Sequence, residues 1–189
     1  MESMPRKAEE FFQRLDEAGI DWVLVGAAAM NHYLPRPRAT LDVDVVVRKK
    51  HLAKAKRVLD EQCTDVRETE VHFHGTLSPD PSRLEVDVIK SQSHDLFGIA
   101  LDRKSRLGGV SIVPVEVFLA LKYLSIVSVW RSRDDKGQDV LDFMKTYKAN
   151  RIRVDRARLL DLASRAHAGA KVEFPVFLDA VENDKPITI

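Results

Sequence analysis

The sequence predicts an α+β fold: a mixed β-sheet flanked by helices over residues 1–113, then a helical C-terminal region over residues 114–189. Two observations predict it. Up to about residue 113, helical periodicity alternates with short apolar or alternating runs that suit strands. From Pro114 onward every patterned segment has helical spacing and no further strand is found.

The elements follow in order. Ala8, Phe11, Phe12, Leu15 and Ala18 recur at helical spacing, with Gly19 where a C-terminal glycine belongs. "DWVLVG" is a continuous apolar run ending at Gly26, as expected of a strand buried on both faces. "AAAMNHYL" reads as a helix closed by "PRPR". "RATLDVDVVV" (38–47) reads as a strand, with Arg38, Thr40, Asp42 and Asp44 on one face and Ala39, Leu41, Val43, Val45 and Val47 on the other. Leu52, Ala55, Val58 and Leu59 mark another helix. "EVHFHGTL" and "RLEVDVIKS" read as paired strands joined by the turn "SPDPS". "VEVFLALKYLSIV", "GQDVLDFMKTY", "DRARLLDLASRA" and "PVFLDAVEN" complete the helical part.

Composition bounds the function classes. With 189 residues, 44% hydrophobic and 31% charged, the chain has the make-up of an ordered globular protein. A net charge of +1 argues neither for nor against a nucleic-acid partner, so that case rests on local patches. The single cysteine, Cys63, excludes an intramolecular disulfide and fits a reducing compartment. The charged, amphipathic N-terminus has no signal-peptide apolar region, and no apolar run approaches the ~18 residues of a membrane span. The expectation is a soluble cytoplasmic protein.

The chemistry concentrates on acids. Asp42 and Asp44 sit one residue apart in the predicted strand, with Cα atoms roughly 6.6 Å apart and side chains on one face. That suits carboxylates sharing two divalent ions about 3.5–4 Å apart, as in two-metal phosphoryl transfer. In "LEVDVI", Asp87 also projects from a polar face and offers a third carboxylate. Hard cations such as Mg²⁺ take oxygen ligands of this kind. Alternating acid and valine is more commonly a half-exposed sheet face with solvated charges. What favours the metal reading is order: a buried strand ending in Gly26, a short helix, then R-x-T-x-D-x-D, then Asp87 on a later strand.

That ordered set resembles the nucleotidyltransferase superfamily that includes DNA polymerase β. Within it, the likeness is greatest to small prokaryotic members grouped with AbiEii-type toxins. The resemblance rests on "WVLVGAAAMNHYLPRPRATLDVDVVV" (22–47), "LEVDVI" (84–89) and "PVEVFLALKYLS…RSRDDKGQDVLDF" (114–143), leaving the last forty or so residues unmatched. It implies a short mixed sheet flanked by helices and a helical part that closes over a nucleotide.

The resemblance further implies metal-binding and catalytic roles for Asp42, Asp44 and Asp87, with two Mg²⁺ ions and a nucleoside triphosphate as substrate. Gly26 and Ala27 match the family's glycine-containing turn beside the triphosphate. Arg38 and Thr40 match positioning residues, and Lys122 and Asp139 match a helix lysine and acid near the nucleotide phosphates. The family's turn is usually Gly-Gly or Gly-Ser; here Ala27 brings neither a hydroxyl nor glycine's conformational freedom. The implied reaction moves a nucleoside monophosphate to an acceptor hydroxyl, with RNA favoured over a protein or a small molecule such as an aminoglycoside. An antitoxin partner is implied by the toxin likeness. The competing expectation is a nucleotide- or partner-binding member of the same fold without turnover.

Other residues weigh less. Taken alone, Lys122 reads as a snorkelling side chain on a core helix. Asp139 and Asp142 could equally form a solvated stripe facing Lys136 or Lys145. "RKKHLAKAKR" (48–57) reads as an amphipathic helix with a solvated face, whereas Arg131, Arg133 and Lys136 form a basic group suited to phosphate. His72 and His74 read as ordinary strand residues, and Cys63 shows no nucleophile's partner.

Overall fold

The computed structural model describes residues 5–37, 40–78 and 83–187. The chain divides into two compact units, one of residues 1–32 and 36–113, the other of residues 33–35 and 114–189.

The first unit is the α+β part. It contains α1 (Arg6–Glu17), β1 (Trp22–Val25), α2 (Gly26–Met30), β2 (Asp42–Val47), α3 (Leu52–Gln62), β3 (Thr64–Glu68), β4 (His72–Ser78), β5 (Leu84–Lys90), α4 (Asp95–Asp102), β6 (Ser105–Leu107) and β7 (Val110–Ile112). The five longer-range strands form one sheet in the order β1-β2-β5-β4-β3, and β6 pairs with β7 as a separate hairpin. In the five-stranded sheet only β2 and β5 run parallel; the other pairs are antiparallel. The sheet is therefore mixed, and the parallel pair at its centre is formed by the two acid-bearing strands.

Sequence patterning explains the core. All four residues of β1 are buried, as its unbroken apolar run predicts. In β5, Leu84, Val86 and Val88 are buried while Glu85, Asp87 and Ile89 are half-buried, a strict period of two. In α1, Ala8, Phe11, Phe12 and Leu15 form the buried stripe. Phe12 stacks on Trp22 of β1, ring centroids 4.8 Å apart. α1 and α3 pack on each other and on β4, while α4 packs against β1 and β2.

The structure differs from the sequence reading at two boundaries beside the acid-bearing strand and in three unpredicted features. The strand predicted over 38–47 begins only at Asp42, because the Thr40 hydroxyl lies 3.3 Å from both the N–H and the carbonyl oxygen of Asp42 and ties that turn locally. The helix read as "AAAMNHYL" stops at Met30 and unwinds through a turn, since Pro35 disfavours helical backbone just before it. β3, α4 and the β6–β7 hairpin were not predicted.

The second unit is helical: α5 (Val115–Val127), α6 (Arg133–Asn150), α7 (Arg156–Ala163) and α8 (Ala170–Glu182). α5 packs against both α6 and α7, and α7 against α8. An aromatic cluster of Tyr123, Phe143, Phe174 and Phe177 joins α5, α6 and α8, with centroid separations from 4.6 to 6.1 Å. No helix among the described residues is long and apolar enough to cross a membrane.

Candidate functional site

In the first unit the register of β2 against β5 sets the acids. Asp44 pairs with Asp87, and Asp42 with Glu85. Register partners on neighbouring strands sit about 4.8 Å apart and point to the same face. Asp42 is exposed and Asp44 half-buried, so this face meets solvent.

Gly26 is shaped by Asp44. It has φ +65°, and Val25 before it pairs with Asp44. A Cβ added to Gly26 would lie 1.8 Å from Asp44 Oδ2 and 2.6 Å from Asp44 Cγ. Only a residue without a side chain leaves room for the carboxylate, and the positive φ separately favours glycine. Ala27 follows, half-buried, in the first turn of α2. Thr40 stands just before β2 and orders the backbone at Asp42. Arg38 lies outside the described residues.

Asp87 has close neighbours that the sequence reading missed. His74 is its register partner on β4, and His74 Nδ1 lies 2.9 Å from Asp87 Oδ1. His72 Nε2 lies 3.8 Å from the same oxygen, and the Thr69 hydroxyl is 3.2 Å from His72 Nδ1. His72 and His74 are strand residues, as expected, and His74 in addition meets Asp87. A signal existed: a hairpin centred on "SPDPS" sets residues whose numbers sum to about 161 opposite each other, which places His74 against Asp87. The turn residues 79–82 themselves lie outside the described set.

The fit of this face to divalent cations can be tested on the donor chemistry. Asp42, Asp44 and Asp87 offer only carboxylate oxygens, from adjacent positions of one parallel pair, and Gly26 keeps a side chain from intruding on Asp44. Those donors suit a hard cation. As the side chains stand, no three His, Cys, Asp or Glu among the described residues are grouped closely enough to hold a metal ion. The donors are of the right type and stand in register, but their side chains are not gathered around one point, and Asp87 Oδ1 lies against His74.

In the second unit, Lys122, Asp139 and Asp142 come together. Lys122 Nζ donates to Asp139 Oδ1 at 2.8 Å and to Asp142 Oδ2 at 3.1 Å. Arg131 donates through Nη2 to Asp139 Oδ2 at 2.8 Å, and Gln138 Nε2 to Asp142 Oδ1 at 2.8 Å. The side chains of Lys122, Asp139 and Asp142 are only 9%, 3% and 1% exposed. Asp139 and Asp142 share a helix face, but it is buried and faces α5, which corrects the solvated stripe; Lys122 does not snorkel. Two cations balance two carboxylates here. Arg131 is committed to this cluster, and Ser132 caps α6, accepting from the Asp135 N–H at 3.1 Å.

In the other basic segment, residues 48–57, Arg48 and Lys56 are engaged in ion pairs. Arg48 pairs with Asp21 and, at 2.7 Å, with Asp102, and Lys56 with Asp60 at 2.8 Å. Burial pushes the Cys63 thiol up to about 12, which removes it as a nucleophile near neutral pH.

No protein-family model matches the sequence, and no curated protein matches it. Solved structures do. An antigenic nucleotidyltransferase-like protein from Paracoccidioides brasiliensis superposes with a TM-score of 0.59 at 22% identity, covering 93% of this chain and 91% of that one. The antibiotic-resistance factor ANT(2'')-Ia in solution gives 0.57 at 11% identity, covering 94% of each chain. Its crystal structure in complex with adenylyl-2''-tobramycin gives 0.54 at 11% identity, covering 85% of this chain and 97% of that one. Together with the mixed sheet and its central acid-bearing pair, these likenesses establish that the chain has the nucleotidyltransferase fold.

Proposed function

We propose that the protein transfers a nucleoside monophosphate from a nucleoside triphosphate to an acceptor hydroxyl. The observation that carries this reading is the register of Asp44 against Asp87, with Asp42 one pleat away and Gly26 cleared for the Asp44 carboxylate. Spacing alone gave the acids; the fold supplies the adjacency.

In the reaction, the acceptor oxygen forms a bond to the α-phosphorus, the bond from that phosphorus to the β-phosphate oxygen breaks, and pyrophosphate leaves. Asp42, Asp44 and Asp87 are the residues that would hold divalent cations, two Mg²⁺ in this reading. Such ions, when bound, supply positive charge against the triphosphate and the attacking oxygen. The protein's own part is placement: β2 and β5 fix the carboxylates, and Thr40 and Gly26 fix the backbone and space around them. Lys122 and Asp139 enter as an internal brace of the helical unit, on the strength of their burial and mutual hydrogen bonds.

For the acceptor, ANT(2'')-Ia, whose complex holds an adenylylated aminoglycoside, supports a small hydroxylated molecule. The case for RNA rests on the toxin likeness and on the basic groups, of which Arg48 and Arg131 are engaged in ion pairs of their own units. The test is transfer of label from each α-³²P nucleoside triphosphate, with Mg²⁺, to aminoglycosides, total RNA or protein, beside Asp44→Ala. Label on a small acceptor that disappears in the variant is expected. Label on RNA or protein would move the acceptor class, and label unaffected by Asp44→Ala would overturn the site.

A further inference from the structure

We infer that His74 is a positioning residue for the third carboxylate, holding Asp87 so that one of its oxygens is left for a cation; this rests on the reading of Asp87 as a metal ligand. An ionised carboxylate only accepts hydrogen bonds, so at 2.9 Å the His74 Nδ1–H donates to Asp87 Oδ1. The contact is set by register: His74 and Asp87 are directly paired across β4 and β5, with side chains on one face. His74 is itself held, its side chain 26% exposed on an interior strand flanked by β3 and β5.

The consequence is a division of labour between the two Asp87 oxygens. Oδ1 is occupied by the imidazole, and Oδ2 is the oxygen assigned to the cation. The row Asp44–Asp87–His74 across three adjacent strands puts the imidazole on the side of Asp87 away from Asp44. It fixes the carboxylate without standing between the two acids. A side chain bonded to a ligating group in this way orients that group, and its loss typically weakens metal binding about 10- to 100-fold. His72 lies beyond hydrogen-bond reach of Asp87 at 3.8 Å and belongs to Thr69 through Nδ1, so it does not share this role.

The experiment is Mn²⁺ binding to the full chain, without nucleotide, followed by the paramagnetic resonance signal of free Mn²⁺. Wild type is compared with Asp87→Ala, His74→Ala, His74→Asn and His72→Ala. Asn is chosen because its amide N–H can take the place of Nδ1–H. His74→Ala is expected to raise the Mn²⁺ Kd about 10-fold, His74→Asn to restore it to within about threefold, and His72→Ala to leave it within about threefold. Equal Kd for wild type and His74→Ala, with Asp87→Ala weakened, would overturn the inference while sparing the metal reading. Equal Kd for wild type and Asp87→Ala would overturn the metal reading itself. A loss in His74→Ala that Asn does not restore, with His72→Ala equally weakened, would make the effect one of strand packing and also overturn the inference. Melting temperatures without metal separate folding loss from site loss in each variant.

Discussion

Two groups of aspartates in this chain are treated in opposite ways. Asp42, Asp44 and Asp87 stand on a sheet face that meets solvent, with Asp87 36% exposed. Asp139 and Asp142 stand on α6 at 3% and 1%, closed around Lys122. In the first group like charges are stacked in register; in the second, opposite charges are matched. A buried carboxylate must be neutralised by a partner, because the interior does not solvate it. A half-exposed one is solvated in part and has less need of a partner. Burial therefore separates acids that must be matched by a cation from acids that water helps to solvate, although all five share the same spacing rules in sequence.

The largest expected effect comes from breaking the buried group. Lys122→Met removes the ammonium that donates to both Asp139 and Asp142 in a buried cluster, and should cost about 3–5 kcal/mol of stability, read by urea denaturation. Adding Asp142→Leu should recover part of that loss, since one of the two buried carboxylates that Lys122 neutralises goes with it. Asp44→Ala, at a half-buried position, should cost far less, about 1 kcal/mol or below. If Lys122→Met kept its stability and lost nucleotide affinity instead, the brace would be wrong and the implied phosphate contact restored.

A smaller effect should come from Gly26→Ala. The new methyl meets Asp44 Oδ2, and alanine at φ +65° carries roughly 1–2 kcal/mol of backbone strain. Transfer should fall steeply with the displaced carboxylate, while stability falls by about 2 kcal/mol. In the double variant Gly26→Ala/Asp44→Ala, the collision disappears and only the backbone cost remains. Additive stability losses in that cycle would mean that the turn moves as a whole and that Gly26 is not there for Asp44.

How much of this was legible depended on whether the signal was local. β1 and β5 announce themselves through Trp22–Val25 and the alternation of "LEVDVIK". β3 does not: Thr64–Glu68 is an almost entirely exposed edge strand, with Asp65 at φ 54° and a shift of register, so no period survives. The β6–β7 hairpin has three residues per strand, too few to show alternation, although Gly108 and Gly109 at positive φ are what a tight hairpin turn demands. At the site, Asp42 and Asp44 were legible from spacing. Their adjacency to Asp87, the reason for Gly26 and the part of His74 were not, because each depends on which strand lies beside which. The snorkelling reading of Lys122 failed for a related reason: helical periodicity marks a residue as inward-facing but cannot show that the facing helix brings two carboxylates to meet it.

The smallest expected effect tests the comparison at intermediate burial, where an acid is neither closed in nor open. Asp21 precedes β1 and pairs with both Arg48 and Lys104. Partial burial pushes its pKa up, but the hydrogen bonds from Lys104 and Arg48 outweigh it and hold the carboxyl below the usual 3.8. Its folded value being depressed, the stability it contributes is fully present above the unfolded value and is lost as the pH falls through the folded one. Asp21→Asn should accordingly cost about 1 kcal/mol or less at neutral pH, as expected of a partly exposed pair. The gap between wild type and variant should persist down to about pH 4 and close below it, in urea midpoints taken across that range. A gap that stayed open at low pH would mean that Asn fails for reasons of shape. The ion pairs at Asp21 would then count for no more than packing, and burial alone would not rank the acids of this chain.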